Sequence, residues 1–378
     1  EREGRVCTFW GALTTVCVLV FLISALPAHA VTCEVPGNRP TFSQAVRDPN
    51  CDTINLGAGT FVGPVTIERD LTINGAGFGE TVVDGQGQGT AITVEAGSVT
   101  LNDITVANGN GSFGGGIFNG DEATLRLNRV ALRDNVASII GGGLDNRGNA
   151  ILTDVVVADN ASQFGGGIST SGTLRMTGVT LQGNEAGTAG GGLRVRSGTA
   201  RLLNVTVYGN TAVPSDFAGE GGGVYVQEGL LKLSHVTLSG NLAKLGGGVF
   251  VKVCDPGEGC EQGVVEVKGS ILAHNEGDNC GRPLSSLGHN LSTDASCAAF
   301  LTQAGDRSEV EVNLDPAGPQ DNGGATPTVA LLAGSPAVDA IPAEACADAD
   351  GNAVAADQRG VSRPQRGGCD IGAFEVRG

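Results

Sequence analysis

Apolar and polar residues alternate along short segments that recur through residues 97–275. Alternation with a period of two is typical of a β-strand with one buried face. When the segments are aligned, one apolar position repeats in every copy: Ile104, Val130, Val155, Val179, Val205 and Val236. Leu or Met stands three residues before each of these positions, and Val or Leu stands two residues after it. These columns predict strands that stack and share one continuous apolar interior.

Triple-glycine blocks mark the repeat unit. They begin at residues 114, 141, 165, 190, 221 and 246, so successive blocks are 27, 24, 25, 31 and 25 residues apart. A repeat of that length, built from short strands without helical periodicity, is the signature of a solenoid. We therefore predict an all-β chain that folds as a single parallel β-helix of about nine or ten rungs.

An asparagine lies a few residues before most of the glycine blocks: Asn135, Asn160, Asn184, Asn210 and Asn241. Asparagine tolerates the left-handed backbone region and forms hydrogen bonds with neighbouring backbone groups. We expect a column of left-handed asparagines that pair turn amides, which would otherwise be buried without a partner. Because these residues recur at every rung, the pattern indicates turn structure rather than catalysis.

The beginning of the chain has the pattern of an export signal. Arg2 and Arg5 precede an apolar run, and small residues at 28–30 predict cleavage after Ala30. An uncleaved anchor helix is the alternative. The predicted regions are a signal peptide at 1–30, an N-terminal cap at 31–52 with a short helix at 41–46, the β-helix at 53–300 and a C-terminal cap or anchor-type tail at 301–378.

Eight cysteines follow the signal peptide, an even number that fits an exported, disulfide-bonded protein. Eight cysteines permit 105 pairings, and sequence proximity alone selects one set. The predicted pairs are Cys33–Cys51, Cys254–Cys260, Cys280–Cys297 and Cys346–Cys369. The formal net charge of −17 argues against nucleic acid and anionic membrane surfaces as general partners. No membrane span is predicted once the signal peptide is removed, and the sequence makes no prediction of the oligomeric state.

The opening of the predicted β-helix, DTINLGAGTF and then VTIERDLTINGAGFGETVVDGQG, resembles that of right-handed parallel β-helix proteins of the pectin-lyase-like superfamily. The GGGI, GGGL and GGGV blocks with their preceding Asn resemble the repeats of polymorphic outer membrane proteins. Together these segments cover about 53–275. The resemblance implies a right-handed helix and a bacterial protein that is secreted or associated with the outer membrane, and it does not specify an activity.

The C-terminal segments GGATPTVALLAGSPAVDA and ADQRGVSRPQRGGCDIGAFE are similar to the C-terminal region of exported bacterial β-helix proteins that carry a choice-of-anchor Q domain. The similarity extends over about 321–376, with Val329 and Ala333 where that family leads us to expect His and Pro. It implies a tail that serves surface attachment or sorting. The alternative is a tail that only caps the last rung.

The superfamily includes polysaccharide lyases and hydrolases, so outward-facing carboxylates are the residues of interest. The strand after each glycine block is expected to display one outward column: Phe118, Asp145, Ser169, Arg194, Tyr225 and Phe250. Glycoside hydrolysis needs two carboxyl groups roughly 5–9.5 Å apart, and this column has one. Asp154 and Asp159 are close in sequence but fall on different parts of one rung. We predict no catalytic residues, with a lyase or hydrolase as the alternative.

Two further outward columns are expected. The first is largely basic: Thr100, Arg126, Ile151, Arg175, Arg201, Lys232 and Glu266. It either contacts acidic glycans or keeps the sheet soluble. The second is a threonine column, Thr105, Thr180, Thr206 and Thr237, interrupted by Ala131 and Val156, and we attribute it to strand propensity.

The segment DADGNAVAAD brings together one oxygen-rich group, Asp348, Asp350, Asn352 and Asp357. Such oxygens suit calcium, and an Asx-rich turn is the alternative. No other cofactor is predicted. The expected function is a non-enzymatic, adhesin-like or glycan-binding scaffold at the bacterial surface or in the extracellular space, whose partner is an extracellular polysaccharide or another cell-surface component.

Overall fold

The computed structural model describes residues 31–213, 219–253 and 261–378, so the signal peptide and the Cys254–Cys260 pair lie outside the described residues. The chain is nearly all β-structure, with one α-helix, α1 (Phe42–Arg47), and one 3₁₀ turn (Ala343–Ala345) in the described ranges. Among these residues, no helix has the length and apolarity needed to cross a bilayer.

The strands in chain order are β1 (Thr32–Val35), β2 (Thr53–Leu56), β3 (Gly59–Val62), β4 (Val65–Ile67), β5 (Leu71–Asn74), β6 (Thr81–Asp84), β7 (Ile92–Ala107), β8 (Asn110–Phe113), β9 (Ile117–Arg133), β10 (Val136–Ile140), β11 (Leu144–Asn146), β12 (Asn149–Thr153), β13 (Val156–Ala158), β14 (Ala161–Phe164), β15 (Ile168–Thr170), β16 (Thr173–Gln182), β17 (Glu185–Ala189), β18 (Leu193–Val195), β19 (Thr199–Tyr208), β20 (Thr211–Ala212), β21 (Val224–Val226), β22 (Leu230–Ser239), β23 (Leu242–Ala243), β24 (Val249–Val251), β25 (Val264–Lys268), β26 (Ile271–Ala273), β27 (Ser285–Ser286), β28 (Leu291–Ser292), β29 (Ile341–Pro342) and β30 (Gly368–Cys369).

Each repeat forms one rung, and successive rungs pair in parallel and in register. One face of the stack runs through eleven strands of the described chain, one more than the larger rung number predicted: β1, β2, β5, β7, β9, β12, β16, β19, β22, β25 and β27. The fold is a right-handed parallel β-helix, which confirms the predicted architecture. The first pairing already involves β1, inside the segment assigned to the N-terminal cap.

The interior consists of the predicted apolar columns. In the rung that contains β12 and β13, Leu152, Val155, Val157 and Ile168 are all fully buried. The same positions are buried in neighbouring rungs, and together they form one continuous core. Since each rung covers only the rung next to it, the stability of the stack depends on contacts between nearest neighbours.

In each rung, the chain turns at three residues that adopt the left-handed backbone conformation. In the rung at 149–170 they are Asp154, Asp159 and Gly165, with φ values of 55°, 56° and 65°. The prediction that the repeated asparagine itself adopts this conformation is wrong, because the residue before it does. The asparagine instead directs its side chain into the corner, where Asn160 is only 1% exposed.

The asparagines form a buried ladder along the stack. Asn184 Nδ2 donates to Val157 O in the rung below (2.9 Å) and to Asn210 Oδ1 in the rung above (2.8 Å). Its Oδ1 accepts from Asn160 N (3.1 Å) and Asn160 Nδ2 (2.9 Å). The same pattern links Asn135, Asn160, Asn184, Asn210, Asn241, Asn275 and Asn279. The prediction that the asparagine column satisfies turn groups is confirmed.

Each of the three glycines in a block is required for a different structural reason. The first glycine has positive φ, as in Gly190 at 71°. A Cβ on the second, Gly191, would lie 2.6 Å from both Thr211 N and Thr211 O in the next rung. A Cβ on the third, Gly192, would lie 3.1 Å from the Asn210 amide group. The glycine block therefore lets the chain return directly against the backbone and beside the asparagine ladder.

Between the asparagine and the glycine block, the chain forms a second sheet beside the main stack, which we call the side sheet. Its six strands, in spatial order, are β23, β20, β17, β14, β10 and β8. Its small inner residues Ala186, Ala212 and Ala243 pack together, so this sheet approaches the glycine segments closely. At its N-terminal end, Phe113, Val136 and Ile139 are exposed.

The N-terminal end of the stack is covered by α1, close to the helix predicted at 41–46. Thr41 caps it by accepting a hydrogen bond from Gln44 N (3.2 Å). The helix buries Phe42, Ala45 and Val46 in the core cluster. The predicted disulfides Cys33–Cys51, Cys280–Cys297 and Cys346–Cys369 are all present.

The C-terminal tail, residues 311–378, lies lengthwise against the flank of the β-helix rather than only over its last rung. Thr180 Oγ1 donates to Pro327 O (2.6 Å), and Thr206 Oγ1 donates to Gln358 Oε1 (2.8 Å). Ala373 N donates to Thr237 Oγ1 (3.0 Å). The threonine column is therefore more than a result of strand propensity, because the hydroxyls of Thr180, Thr206 and Thr237 form hydrogen bonds with the tail and are buried.

The charged residues of the C-terminal motif hold the tail in place. The Arg363 guanidinium is fully buried, and it donates to Asp370 O (2.6 Å), Gly372 O (2.7 Å) and His235 Nδ1 (2.8 Å). Its partner Glu375, 3.5 Å away, is also fully buried. Since arginine can only donate, His235 accepts at Nδ1 and stays neutral. Burial and the neighbouring Arg363 hold the pKa of His235 well below its usual range.

The neutral His235 predicts that acid weakens the tail contact. Below about pH 6.5 the unfolded chain binds a proton at this residue while the native chain does not, so stability falls by up to about 1.4 kcal/mol per pH unit. Urea unfolding at pH values between 7.5 and 5 measures this slope. The His235→Asn variant carries the residue type that the rung below has at the equivalent position, Asn204. The slope of its unfolding free energy against pH should be shallower by the contribution of one proton. An unchanged slope in the variant contradicts the assignment.

Other groups around His235 titrate in the opposite sense. Burial raises the pKa of Asp370 and that of Glu375, so these carboxyls keep a proton in the native state at pH values where the unfolded chain has lost it. They therefore favour the native state as the pH falls. Arg363 stays charged throughout this range, although burial lowers its pKa. The difference between wild type and the His235→Asn variant isolates the histidine from this background.

Candidate functional site: an arginine–aromatic strip

The outward column predicted after the glycine blocks is in register in the structure. Phe118 pairs with Asp145, which pairs with Ser169, and the column continues through Arg194 to Tyr225. Phe250 follows on β24. Neighbouring members are one strand spacing apart, about 4.8 Å, so the column spans roughly 24 Å along the helix axis. We call this column and the side chains stacked on it the arginine–aromatic strip.

The expectation that this column is exposed is wrong. Asp145 is 4% exposed, Arg194 is 8%, Tyr225 is 6% and Phe250 is 3%. The covering comes from the side sheet, whose Phe164 packs with Tyr225 and Phe250 in one cluster. The glycine block brings the side sheet back against this column, and sequence alternation alone does not reveal that contact.

Arginine side chains lie over the aromatic rings of the strip. The Arg147 guanidinium carbon is 5.0 Å from the centre of the Phe113 ring and 4.8 Å from that of Phe118. Arg194 lies 4.7 Å from the Phe164 ring centre, and the exposed Arg282 lies 5.6 Å from that of Phe250. These distances are within the range of cation–π contacts, which favour a guanidinium over the face of an aromatic ring.

Sequence reasoning missed four members of this strip, Phe113, Arg147, Phe164 and Arg282. Phe113 and Phe164 end strands of the side sheet, while Arg147 and Arg282 lie in turns, so none shares the period of the column. The sequence gives a signal for Phe113 and Phe164, which lie directly before a glycine block in SFGGG at 112–116 and QFGGG at 163–167.

The charges of the strip are partly compensated. Arg147 Nε donates to Asp145 Oδ2 (3.3 Å), and burial raises the pKa of Asp145 above its usual value despite this arginine. Arg194 Nη2 donates to Gln227 Oε1 (2.6 Å), while its buried Nε has no partner in the described chain. Burial lowers the pKa of Arg194. Because Arg194 Nε is buried, the partly exposed Arg147 and the exposed Arg282 are the arginines of the strip that offer donors to a ligand.

The acids of the strip are too far apart for paired carboxylate chemistry. Burial raises the pKa of Glu220, as it does for Asp145, but the two residues are three rungs apart, about 14 Å. Glycoside hydrolysis places its carboxyls roughly 5–9.5 Å apart. Burial also raises the pKa of Tyr225 to about 12, so its hydroxyl keeps its proton at neutral pH. Asp154 and Asp159 lie at the two corners that flank β13, as predicted.

The basic column is also in register, but the tail neutralises part of it. Asp350 of the tail accepts from Arg201 Nε (3.1 Å) and Lys232 Nζ (2.7 Å), and Lys232 also pairs with Glu266 (2.9 Å). These partners lower the pKa of Asp350. Arg126 and Arg175 remain exposed.

The four candidate calcium ligands have other partners. Asp348 Oδ1 accepts from Asp350 N (2.9 Å) and Asn352 N (2.8 Å), which forms an Asx turn. Asp357 is buried and accepts from Arg359 and from Glu375 N (2.9 Å). In the described ranges no three His, Cys, Asp or Glu side chains form a group that could hold a metal ion.

No family model matches the chain, and no curated protein matches it. Among solved structures, the crystal structure of pectate lyase Pel9A aligns over 93% of this chain and 98% of that chain, with 14% sequence identity and a TM-score of 0.43.

Proposed function

We propose that this chain is an exported bacterial β-helix scaffold that binds a carboxylate-bearing extracellular polysaccharide along the arginine–aromatic strip without cleaving it. The observation that carries the proposal is the strip itself, in which Arg147, Arg194 and Arg282 lie over aromatic rings along five successive strand spacings. Guanidinium groups match carboxylates in shape and charge, and aromatic rings favour the apolar faces of sugars.

The separation of the carboxyls favours binding over hydrolysis, because Asp145 and Glu220 cannot act on one glycosidic bond. Export is supported by the disulfides, since such bonds persist in oxidising compartments. We assign attachment to the cell surface to the tail or to residues that precede it. The tail motif residues Arg363 and Glu375 are committed to internal contacts, so an attachment signal would use its exposed residues.

Binding should depend on the strip and not on basic charge in general. Replacing Arg147 and Arg282 with glutamine should weaken binding to polygalacturonate at least tenfold, which is about 1.4 kcal/mol for the pair. Isothermal titration calorimetry with the purified chain measures this change. The matched control is the Arg126→Gln, Arg175→Gln double variant, which loses the same charge from the exposed basic column.

Equal weakening in both double variants would leave only non-specific charge attraction and would contradict the strip as the site. The ultraviolet absorbance of unsaturated products and a reducing-sugar assay test the alternative, a polysaccharide lyase or hydrolase. Release of product that disappears in an Asp145→Ala variant would overturn the non-enzymatic part of the proposal. Circular dichroism before each measurement verifies that the variants are folded.

A further inference from the structure

A cleft of about 470 Å³ lies where the C-terminal tail meets the β-helix, on a different flank from the arginine–aromatic strip. We call it the tail cleft. The β-helix contributes Tyr208, Ser239 and His274, and the tail contributes Glu311 and Asp315. A volume of this size accommodates a small polar ligand such as one sugar residue.

The half-buried Tyr208 ring forms one side of the tail cleft. Gly240 and Gly318 lie against the ring, the former from the next rung and the latter from the tail. A Cβ on Gly318 would lie 2.6 Å from Tyr208 Cζ, so the backbone itself packs on the ring. A half-buried aromatic ring framed by glycines offers a flat contact surface to a ligand.

Each of two carboxylates in the tail cleft has one oxygen that receives no hydrogen bond from the described residues, and the Glu311 side chain is 66% exposed. Glu311 Oε1 lies 3.1 Å from His274 Nε2, and Asp315 Oδ1 accepts from Ala317 N (2.9 Å). Among the described residues, the second oxygen of each carboxylate forms no hydrogen bond. With the ring of Tyr208 beside them, these acceptors suit an ammonium group, which can donate to both and also interacts with an aromatic face.

We propose that the tail cleft binds an amino sugar. Its ammonium group is held by Glu311 and Asp315, its ring lies on Tyr208, and its hydroxyls meet Ser239 and Asn313, which also line the cleft. This site is separate from the polysaccharide site proposed above, because it shares no residue with the strip and selects the opposite charge. The overall charge of −17 adds attraction for a cationic ligand.

Because the two sides of the cleft come from different parts of the chain, the ligand also bridges the tail to the β-helix. A ligand that binds only when the tail is in place stabilises that arrangement by mass action. At a concentration one hundred times its Kd, it reduces opening of the tail about 100-fold. The tail cleft thus couples ligand binding to retention of the tail.

The test is calorimetric titration of the purified chain with glucosamine, N-acetylglucosamine and glucose. Glucosamine should bind at least tenfold more tightly than the two uncharged sugars. Glu311→Gln and Asp315→Asn should each remove that preference, and the asparagine retains the oxygen that accepts from Ala317 N. Glu276→Gln, which removes an exposed carboxylate outside the cleft, should leave the preference unchanged.

Equal affinity for the three sugars, no measurable binding, or an equal loss in Glu276→Gln would overturn the site. Amide hydrogen exchange of residues 326–358 tests the bridging separately. Saturating glucosamine should slow exchange of tail amides in the wild type and not in Asp315→Asn. Binding without slower exchange would overturn the bridging role. Neither result depends on polygalacturonate binding, which the Arg147 and Arg282 variants measure on their own.

Discussion

Replacing Asn184 with alanine should destabilise the β-helix by about 3 to 5 kcal/mol, because the change breaks the buried ladder in its middle. Asn160 N would lose its partner, Val157 O would lose a donor, and Asn160 Nδ2 would lose one of its two acceptors. Each unpaired buried group costs about 1–3 kcal/mol. The midpoint of urea unfolding, followed by circular dichroism, measures the change.

Asn128→Ala is the matched control, since Asn128 belongs to a second ladder on the outer surface. Its Nδ2 donates to Asn102 Oδ1 (2.8 Å), and both groups are half exposed, so water replaces the lost bond. We expect a loss below about 1 kcal/mol. If both variants lose the same stability, burial is not what gives the inner ladder its importance.

Replacing the middle glycine of a block, Gly191→Ala, should cost about 3 kcal/mol or prevent folding. The added methyl would meet backbone on two sides, at Thr211 and at Gly222 O, and backbone in a parallel stack cannot move without shifting the adjacent rungs. Thermal unfolding and soluble yield measure the effect. The cause is steric, because Gly191 does not have positive φ, unlike Gly190.

Gly57→Ala tests the same change where space is available. The nearest atom to an added Cβ there, Val35 O, is 4.0 Å away, and φ is not positive. We expect a change within about 0.5 kcal/mol. A comparable loss at both positions would show that glycine acts through chain flexibility rather than through close approach of backbone segments.

The repeat explains why so much of the fold could be read in advance. Val155 and its equivalents keep the same inward position in every rung, so alternation and period together predicted the stack, its core and a column of asparagines that bond to turn amides. Disulfide pairing by proximity succeeded for the three described pairs because each joins cysteines 17 to 23 residues apart. The error on the left-handed residue was local, since Asp159 and Asn160 are adjacent and both residue types tolerate that conformation.

The candidate sites were harder to predict because they depend on what covers the outer surface. Asp145 and Arg194 were correctly placed in one column, but Phe164, which lies against it, comes from the side sheet. The threonine column was attributed to strand propensity, whereas Thr180 bonds to Gln358 across 178 residues of sequence. No period relates those two residues, so alternation could not reveal their contact.

By itself, the sequence determined the period, the inward columns and the asparagine column, because each of these depends on neighbouring rungs with equivalent residues, and it determined the three described disulfides because each closes a short loop. The tertiary structure alone decided which outward residues are buried, where the arginines stack, and how the tail creates a cleft at Tyr208. Those outcomes arise from contacts between non-equivalent segments far apart along the chain, and they depend on the shape of the assembled surface rather than on any repeated pattern.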